Sequence, residues 1–288
     1  MMVDAYRPKT LAEALKIRNE TDCLPIAGGT DLMVQKARGT GLGPGFEKPL
    51  LFVGHLPELH RIEKKEGYIH IGPAVLLSEL LHNPLISDTF KKAVALMASP
   101  PSRNLATLGG NICNASPAGD TLPFLYAADA ELLLENHEFE RRIAIEDFIT
   151  GPKQTDLKPD ELLTDIIIPD INFPVTYYKK VGQRRGMSLT KASFHGLADV
   201  LDGYVEDLRM AFGSVAPTVV RSRDIENSLI GESVNSLKNR YQEILELYEP
   251  LIQPIDDARS SAMYRKNVCF NILKDFLNYL EKNQGDII

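Results

Sequence analysis

Apolar and polar positions along the chain mark out a series of short helices and strands. Thr10 with Glu13 predicts a capping box, and Leu11, Ala14 and Leu15 form an apolar helical stripe behind it. Cys23 to Ala27 is a short apolar run that ends in Gly28-Gly29, which predicts a buried strand breaking into a tight turn. Asp31 is placed to cap a second helix through Leu32, Met33 and Val34, and the Gly- and Pro-rich residues 39–49 read as a mobile loop. Strands are predicted over 50–55 and 68–75, and helices over 76–86 and 88–99, the second halted by Pro100-Pro101. Residues 103–120 hold too much Gly, Asn and Ser for regular structure, and Pro123 opens an apolar helix through Ala130. Strands follow at 131–136, 141–148 and 161–169.

After Pro174 the pattern becomes a meander: strands near 177–181, across 192–215 with a turn at Asp202-Gly203, and at 216–221. Helices close the chain over 233–249 and 267–282, the latter with Val268, Ile272, Leu273, Phe276 and Leu280 on one face. The class is α+β in two parts, 1–173 and 174–288, with the boundary set by Asn172 and Pro174.

Composition narrows the function classes. Hydrophobic content of 44% and charged content of 25% are globular averages, which excludes disordered and coiled-coil classes. The net charge is −7, and without a cationic stripe nucleic acid is not expected as a partner. No stretch approaches the roughly 18 apolar residues of a membrane span. The N-terminus has no basic region followed by an apolar one, so the expected location is cytoplasmic. The 3 cysteines, Cys23, Cys113 and Cys269, are scattered without a C-x-x-C pair and read as small buried hydrophobes, not as a disulfide or cluster framework. The 6 histidines include no pair at metal-ligand spacing, so no metal site is predicted on this chain.

Two segments carry candidate chemistry. In the first, Pro25-Ile26-Ala27-Gly28-Gly29-Thr30-Asp31-Leu32, paired glycines let several backbone N–H groups converge without Cβ interference, which suits a phosphate. It is neither a Walker loop nor a G-x-G-x-x-G fingerprint, and an ordinary strand-to-helix turn would read the same way. The second runs from Thr107 to Asp120, with Gly109-Gly110 flanked by Thr107, Asn111, Asn114, Ser116 and Asp120. Such short hydrogen-bonding side chains can order a buried polar ligand, or can line a solvated loop.

Together the two segments resemble the FAD-binding subunit of the molybdenum hydroxylases, the xanthine dehydrogenase and carbon-monoxide dehydrogenase type. That family carries an A-G-G-T-D-L loop, then T-x-G-G-N, five residues and P-x-x-D-x-x-P; here the second pattern matches from Thr107 through Pro123. The likeness extends to YYKKVGQRR, GSVAPTVVR and SSAMYRK and covers nearly the whole chain. It implies a two-subdomain FAD-binding (PCMH-type) region followed by a smaller α+β domain of strands and helices. It also implies that Pro25, Ile26, Ala27, Gly28, Gly29, Thr30, Asp31 and Leu32 line the FAD diphosphate. Thr107, Gly109, Gly110, Asn111, Asn114, Ser116 and Asp120 would contact the pyrophosphate, ribityl or adenosine parts. Leu163 would pack on the flavin side, Met97 fall near the ring where some relatives carry an aromatic, and Lys180 lie near the isoalloxazine. Whether Lys179 or Lys180 does so stays open.

The resemblance further implies electron relay without an acid–base or nucleophilic residue on this chain. An iron–sulfur subunit with 2Fe–2S clusters and a molybdenum-cofactor subunit would be partners, with NAD+ as acceptor and a purine or related heterocycle as the hydroxylated compound. Alternatives are a carbon-monoxide dehydrogenase or other hydroxylase with a different acceptor, a stand-alone flavin-binding or assembly protein, and an oxygen-using oxidase of the vanillyl-alcohol type. The last ranks below the others, since the first glycine loop itself, Pro25 to Leu32, holds no His or Cys for covalent flavin attachment.

Overall fold

The computed structural model describes residues 3–184 and 187–283. Arg185 of the YYKKVGQRR stretch and residues 284–288 lie outside the described residues. The chain forms two compact units, one made of 1–87, 98–115 and 130–170, the other of 88–97, 116–129 and 171–288. Two short segments of the first 173 residues therefore pack with the C-terminal half.

The first unit holds a three-stranded parallel sheet with Leu50–Phe52 between Ala5–Tyr6 and Leu24–Ile26. Beside it runs a five-stranded antiparallel sheet ordered Ile62–Lys65, Tyr68–Ile71, Leu162–Pro169, Glu131–Glu135, Glu140–Ala144. Leu162–Pro169 is buried at every residue but its last, as a central strand covered on both faces must be. The helix Leu11–Glu20 starts at Thr10, whose hydroxyl accepts from the Glu13 N–H at 3.2 Å. The Glu13 carboxylate accepts from Lys9 N–H, one residue before the cap, so the box is not closed on Thr10. Ala14 and Leu15 of this helix pack with Leu51, Leu56 and Leu162 into a core that joins the two sheets.

The second unit is a three-stranded antiparallel meander, Val175–Gly182, Thr190–Leu201 and Tyr204–Gly213. Asp202 and Gly203 make the turn, both with positive φ (51° and 81°), the backbone of a type I′ hairpin. Ala262–Lys282 covers one face: Ile272, Leu273, Phe276 and Leu280 are buried against Phe194 and Phe212. Asp88–Ala95 and Leu122–Ala127 cover the other, with Phe90 stacked on Phe124 at 4.3 Å and Phe124 against His195. The architecture is thus α+β, with a two-sheet N-terminal region and a C-terminal meander backed by helices.

Several expected elements differ. The helix expected over 76–86 is only Leu77–Leu80, because Asn83 and Pro84 cut it short. The stretch 216–221 makes no strand, only an isolated bridge between Val220 and Phe212. The helix expected over 233–249 is broken at Arg240 into Val234–Asn239 and Tyr241–Tyr248. Residues 103–120 are not irregular: Leu108–Cys113 is a helix, capped by the Thr107 hydroxyl on the Gly110 N–H at 3.0 Å, with both glycines inside it.

Candidate functional site

A cavity of about 380 Å³ opens in the first unit, within the ordinary range for small-molecule sites. Its floor is the end of strand Leu24–Ile26 and the turn after it, so Pro25, Ile26, Ala27, Gly28, Gly29, Thr30, Asp31 and Leu32 all line it. Thr107, Gly109, Gly110, Asn111 and Asn114 line it from the second segment, and Leu163 from the central strand. The two glycine segments, some eighty residues apart in sequence, therefore share one cavity.

Gly28 explains how the first segment can lie against the residues that lead into the second, and Gly109 how the second packs on Pro73. A Cβ on Gly28 would sit 1.8 Å from the Leu105 carbonyl oxygen, and one on Gly109 would sit 2.3 Å from the Pro73 side chain. Both glycines face protein, so their missing side chains bring backbone against backbone. Gly29 turns the chain with φ +66°, and Gly110 is exposed. The polar surface offered to a ligand is thus mainly main chain and short side chains, while Leu24, Val53, Leu59, Leu162 and Leu163 make an apolar part for a flat ring.

Asp31 departs from its expected capping role. It has helical φ and ψ and makes no side-chain cap bond to Leu32–Gln35. Its carboxylate accepts instead from Lys153 Nζ at 3.0 Å and from Gln35 Nε2. Burial works to raise its pKa, but the hydrogen bonds from Lys153 and Gln35 outweigh it and hold the carboxyl below its ordinary value. Cys113, also in the wall, is raised to about 12 by burial and is a neutral thiol at physiological pH.

Met97, Ser116, Asp120 and Lys180 do not line this cavity; they belong to the second unit. There Asp120 pairs with Lys180 at 2.7 Å, both side chains under a tenth exposed, and its other oxygen accepts from the Thr190 hydroxyl. Burial raises the Asp120 pKa while Lys180 and Thr190 pull it down, and the net direction is upward. Lys180 also donates to the Leu96 carbonyl at 3.1 Å. Lys179, on the opposite face of the strand, is exposed. The Ser116 hydroxyl accepts from the Ala118 N–H within its own turn, and Met97 is buried.

Sequence reasoning missed Arg18, Gln35, Cys113 and Leu162 in the cavity wall, and Lys153 and Thr190 beside the two carboxylates. Arg18 sits on the polar side of a helix, and nothing local shows its guanidinium donating to the Cys23 and Glu161 carbonyls. Lys153 and Thr190 reach partners 122 and 70 residues away. Among the described residues, no group of three or more His, Cys, Asp or Glu is arranged to hold a metal, and no helix is long and apolar enough to cross a membrane.

The profile described as the FAD binding domain in molybdopterin dehydrogenase matches residues 1–171, and that of the CO dehydrogenase flavoprotein C-terminal domain matches 177–280. The chain is 29% identical over 266 residues to the glyceraldehyde dehydrogenase medium chain of Sulfolobus acidocaldarius, covering 91% of this chain and 92% of that one. It is 27% identical over 296 residues to the nicotinate dehydrogenase FAD-subunit of Eubacterium barkeri, covering 97% of each. Its fold superimposes with a TM-score of 0.87 on a chain of the carbon monoxide dehydrogenase of Hydrogenophaga pseudoflava, at 24% identity over 98% of both.

Proposed function

Because this chain belongs to the family of FAD-binding domains in molybdopterin dehydrogenases and is the FAD subunit of a molybdenum hydroxylase-family complex, we propose that the cavity of the first unit holds the diphosphate and one ring system of FAD. The observation that carries this reading is the meeting of both glycine segments in one cavity. The residues present suit such a group: main-chain and short polar donors for a pyrophosphate, an apolar wall for a ring, and a carboxylate already paired to a lysine. Pro25 to Leu32, with Thr107, Gly109, Gly110, Asn111 and Asn114, would line the diphosphate and its sugar, and Leu163 would pack against a ring. Met97, Ser116, Asp120 and Lys180 are kept as proposed contacts to the rest of the cofactor. The functional domains are proposed to be 1–173 and 174–288.

When bound, the flavin supplies a junction that takes electrons singly and gives them up as a pair. The chain's own residues bind, orient and exclude water; none is required to move a proton. Lys180 brings no net charge to its surroundings while Asp120 stays ionised beside it, so any bias it gives a nearby flavin depends on that pair. The iron–sulfur clusters and molybdenum cofactor would reside on partner subunits, a reading supported by the medium-chain and FAD-subunit names of the relatives. We further propose a complex of xanthine dehydrogenase type, hydroxylating a heterocycle and passing electrons to NAD+. The nicotinate-oxidising relative, named for a heterocyclic substrate, supports the substrate class.

The visible absorption spectrum of the purified chain, followed by acid release and chromatography of the chromophore, tests the cofactor. Released FAD is expected, and a colourless protein that ignores added FAD would overturn the reading. Bleaching of the bound flavin by NADH is expected as well. Bleaching by dithionite but not by NADH would remove NAD+ as acceptor and leave the FAD site standing.

A further inference from the structure

Lys153 lies at the turn of the hairpin formed by Ile149–Gly151 and Gln154–Thr155, at a left-handed φ of 60°. Its backbone N–H donates to the Ala115 carbonyl at 2.9 Å, which docks the hairpin on the residue following Asn114. From there its ammonium donates to Asn114 Oδ1 at 2.6 Å and to Asp31 Oδ2 at 3.0 Å. Gln35 Nε2 donates to the same two oxygens, at 3.2 Å to Asn114. Asp31, Gln35 and Asn114 all line the cavity, so a single cation ties its two glycine segments together at the rim.

The arrangement is poorly suited to stabilising the fold. Lys153 and Asp31 are 49% and 52% exposed, and pairs so open to solvent contribute little. It is well suited to setting the charge of the cavity. Asp31 is the one carboxylate among the lining residues, and without a cation beside it that charge would face an anionic ligand uncompensated. Arg18, the one cation among the lining residues, is committed to the Cys23 and Glu161 carbonyls, and Lys153 reaches Asp31 from outside that lining.

We propose that Lys153 is a positioning residue of the cofactor site: it neutralises Asp31 and fixes it to Asn114, so that the cavity accepts an anionic pyrophosphate. This rests on the FAD reading above. A direct lysine–phosphate contact is the competing role, and the two differ in what happens when Asp31 loses its charge.

The experiment is a fluorescence titration of FAD into the deflavinated full chain, with thermal unfolding of each apo chain as a fold control. Lys153→Met is expected to weaken FAD about tenfold. Lys153→Arg should keep most of the affinity, and Asp31→Asn added to Lys153→Met should bring it back to within about threefold of wild type. Lys153→Gln, with and without Asp31→Asn, carries the same comparison if methionine distorts the turn. Equal binding by wild type and Lys153→Met would overturn the proposal, as would a double variant no tighter than the single one; either leaves the FAD reading intact. Failure of the wild-type chain to bind FAD would overturn both.

Discussion

In the first unit the groups that face the cavity are mostly main chain and short side chains, brought together by glycines packed against backbone. In the second, Asp120, Lys180 and Thr190 are paired with one another, the Asp120 and Lys180 side chains under a tenth exposed. The first arrangement leaves hydrogen-bonding capacity for something else, and the second uses it internally. Both occur within one sequence motif, since Thr107 to Asn114 belongs to one unit and Ser116 to Asp120 to the other. A polar segment can therefore combine side chains with hydrogen-bonding capacity to spare and side chains already paired within the fold a few positions apart, and burial together with hydrogen-bond partners tells them apart.

The sharpest way to break the comparison is Lys180→Met. It leaves the Asp120 carboxylate buried with only Thr190, and removing one member of a buried pair costs about 3–5 kcal/mol. The folded-state pKa of Asp120 is already raised by burial and would rise further without the lysine. For an acid with a raised folded pKa, the penalty is present above that pKa and disappears below the unfolded value, so the deficit should shrink as pH falls through this window. Denaturant melts of wild type and Lys180→Met between neutral and mildly acidic pH check this. A deficit that stays constant or grows on acidification would contradict it. Adding Asp120→Asn to Lys180→Met should recover most of the loss.

Gly28→Ala probes the first unit in the same currency. A Cβ 1.8 Å from the Leu105 carbonyl oxygen requires backbone to move, and overpacking of this kind costs about 1–3 kcal/mol. The shift would also separate the two segments that line the cavity. Loss of FAD affinity beyond what the stability change accounts for is the expected signature in paired melts and titrations. Full affinity together with wild-type stability would show that the close approach is dispensable.

Several elements of both units were legible in the sequence because they rest on local signals: the Thr10 cap, the glycine pair after Ile26, the Asp202-Gly203 turn and the apolar stripe of the last helix; the packing of 88–97 and 116–129 with the second unit was not. Glycines at Gly109 and Gly110 argued against a helix, yet the Thr107 cap and packing on Pro73 made one; tertiary contact overrode propensity. The cavity was legible as two segments, but not as the set of side chains that completes it. Lys153 and Arg18 carry no local pattern, because their partners lie across the fold from them in sequence or are backbone carbonyls. Asp120 stood out among the short polar side chains of the second segment, but its buried pairing with Lys180 and Thr190 depends on a register that a one-dimensional reading does not fix.

The smallest expected effect sharpens the contrast most. Thr107→Ala removes the hydroxyl that accepts from the Gly110 N–H at 3.0 Å, and lost N-caps cost about 1 kcal/mol. Here the cost should stay near that figure: Thr107 is itself buried, but Gly110 is exposed, which gives the freed N–H a route to water. Thr107→Ser, which keeps the acceptor, should be close to wild type in the same denaturant melts. If Thr107→Ala instead cost as much as breaking the Asp120–Lys180 pair, the rim of the cavity would be as closed to water as the interior of the second unit. The contrast between a polar surface left for a ligand and one consumed by the fold would then fail at the residue where it is easiest to measure.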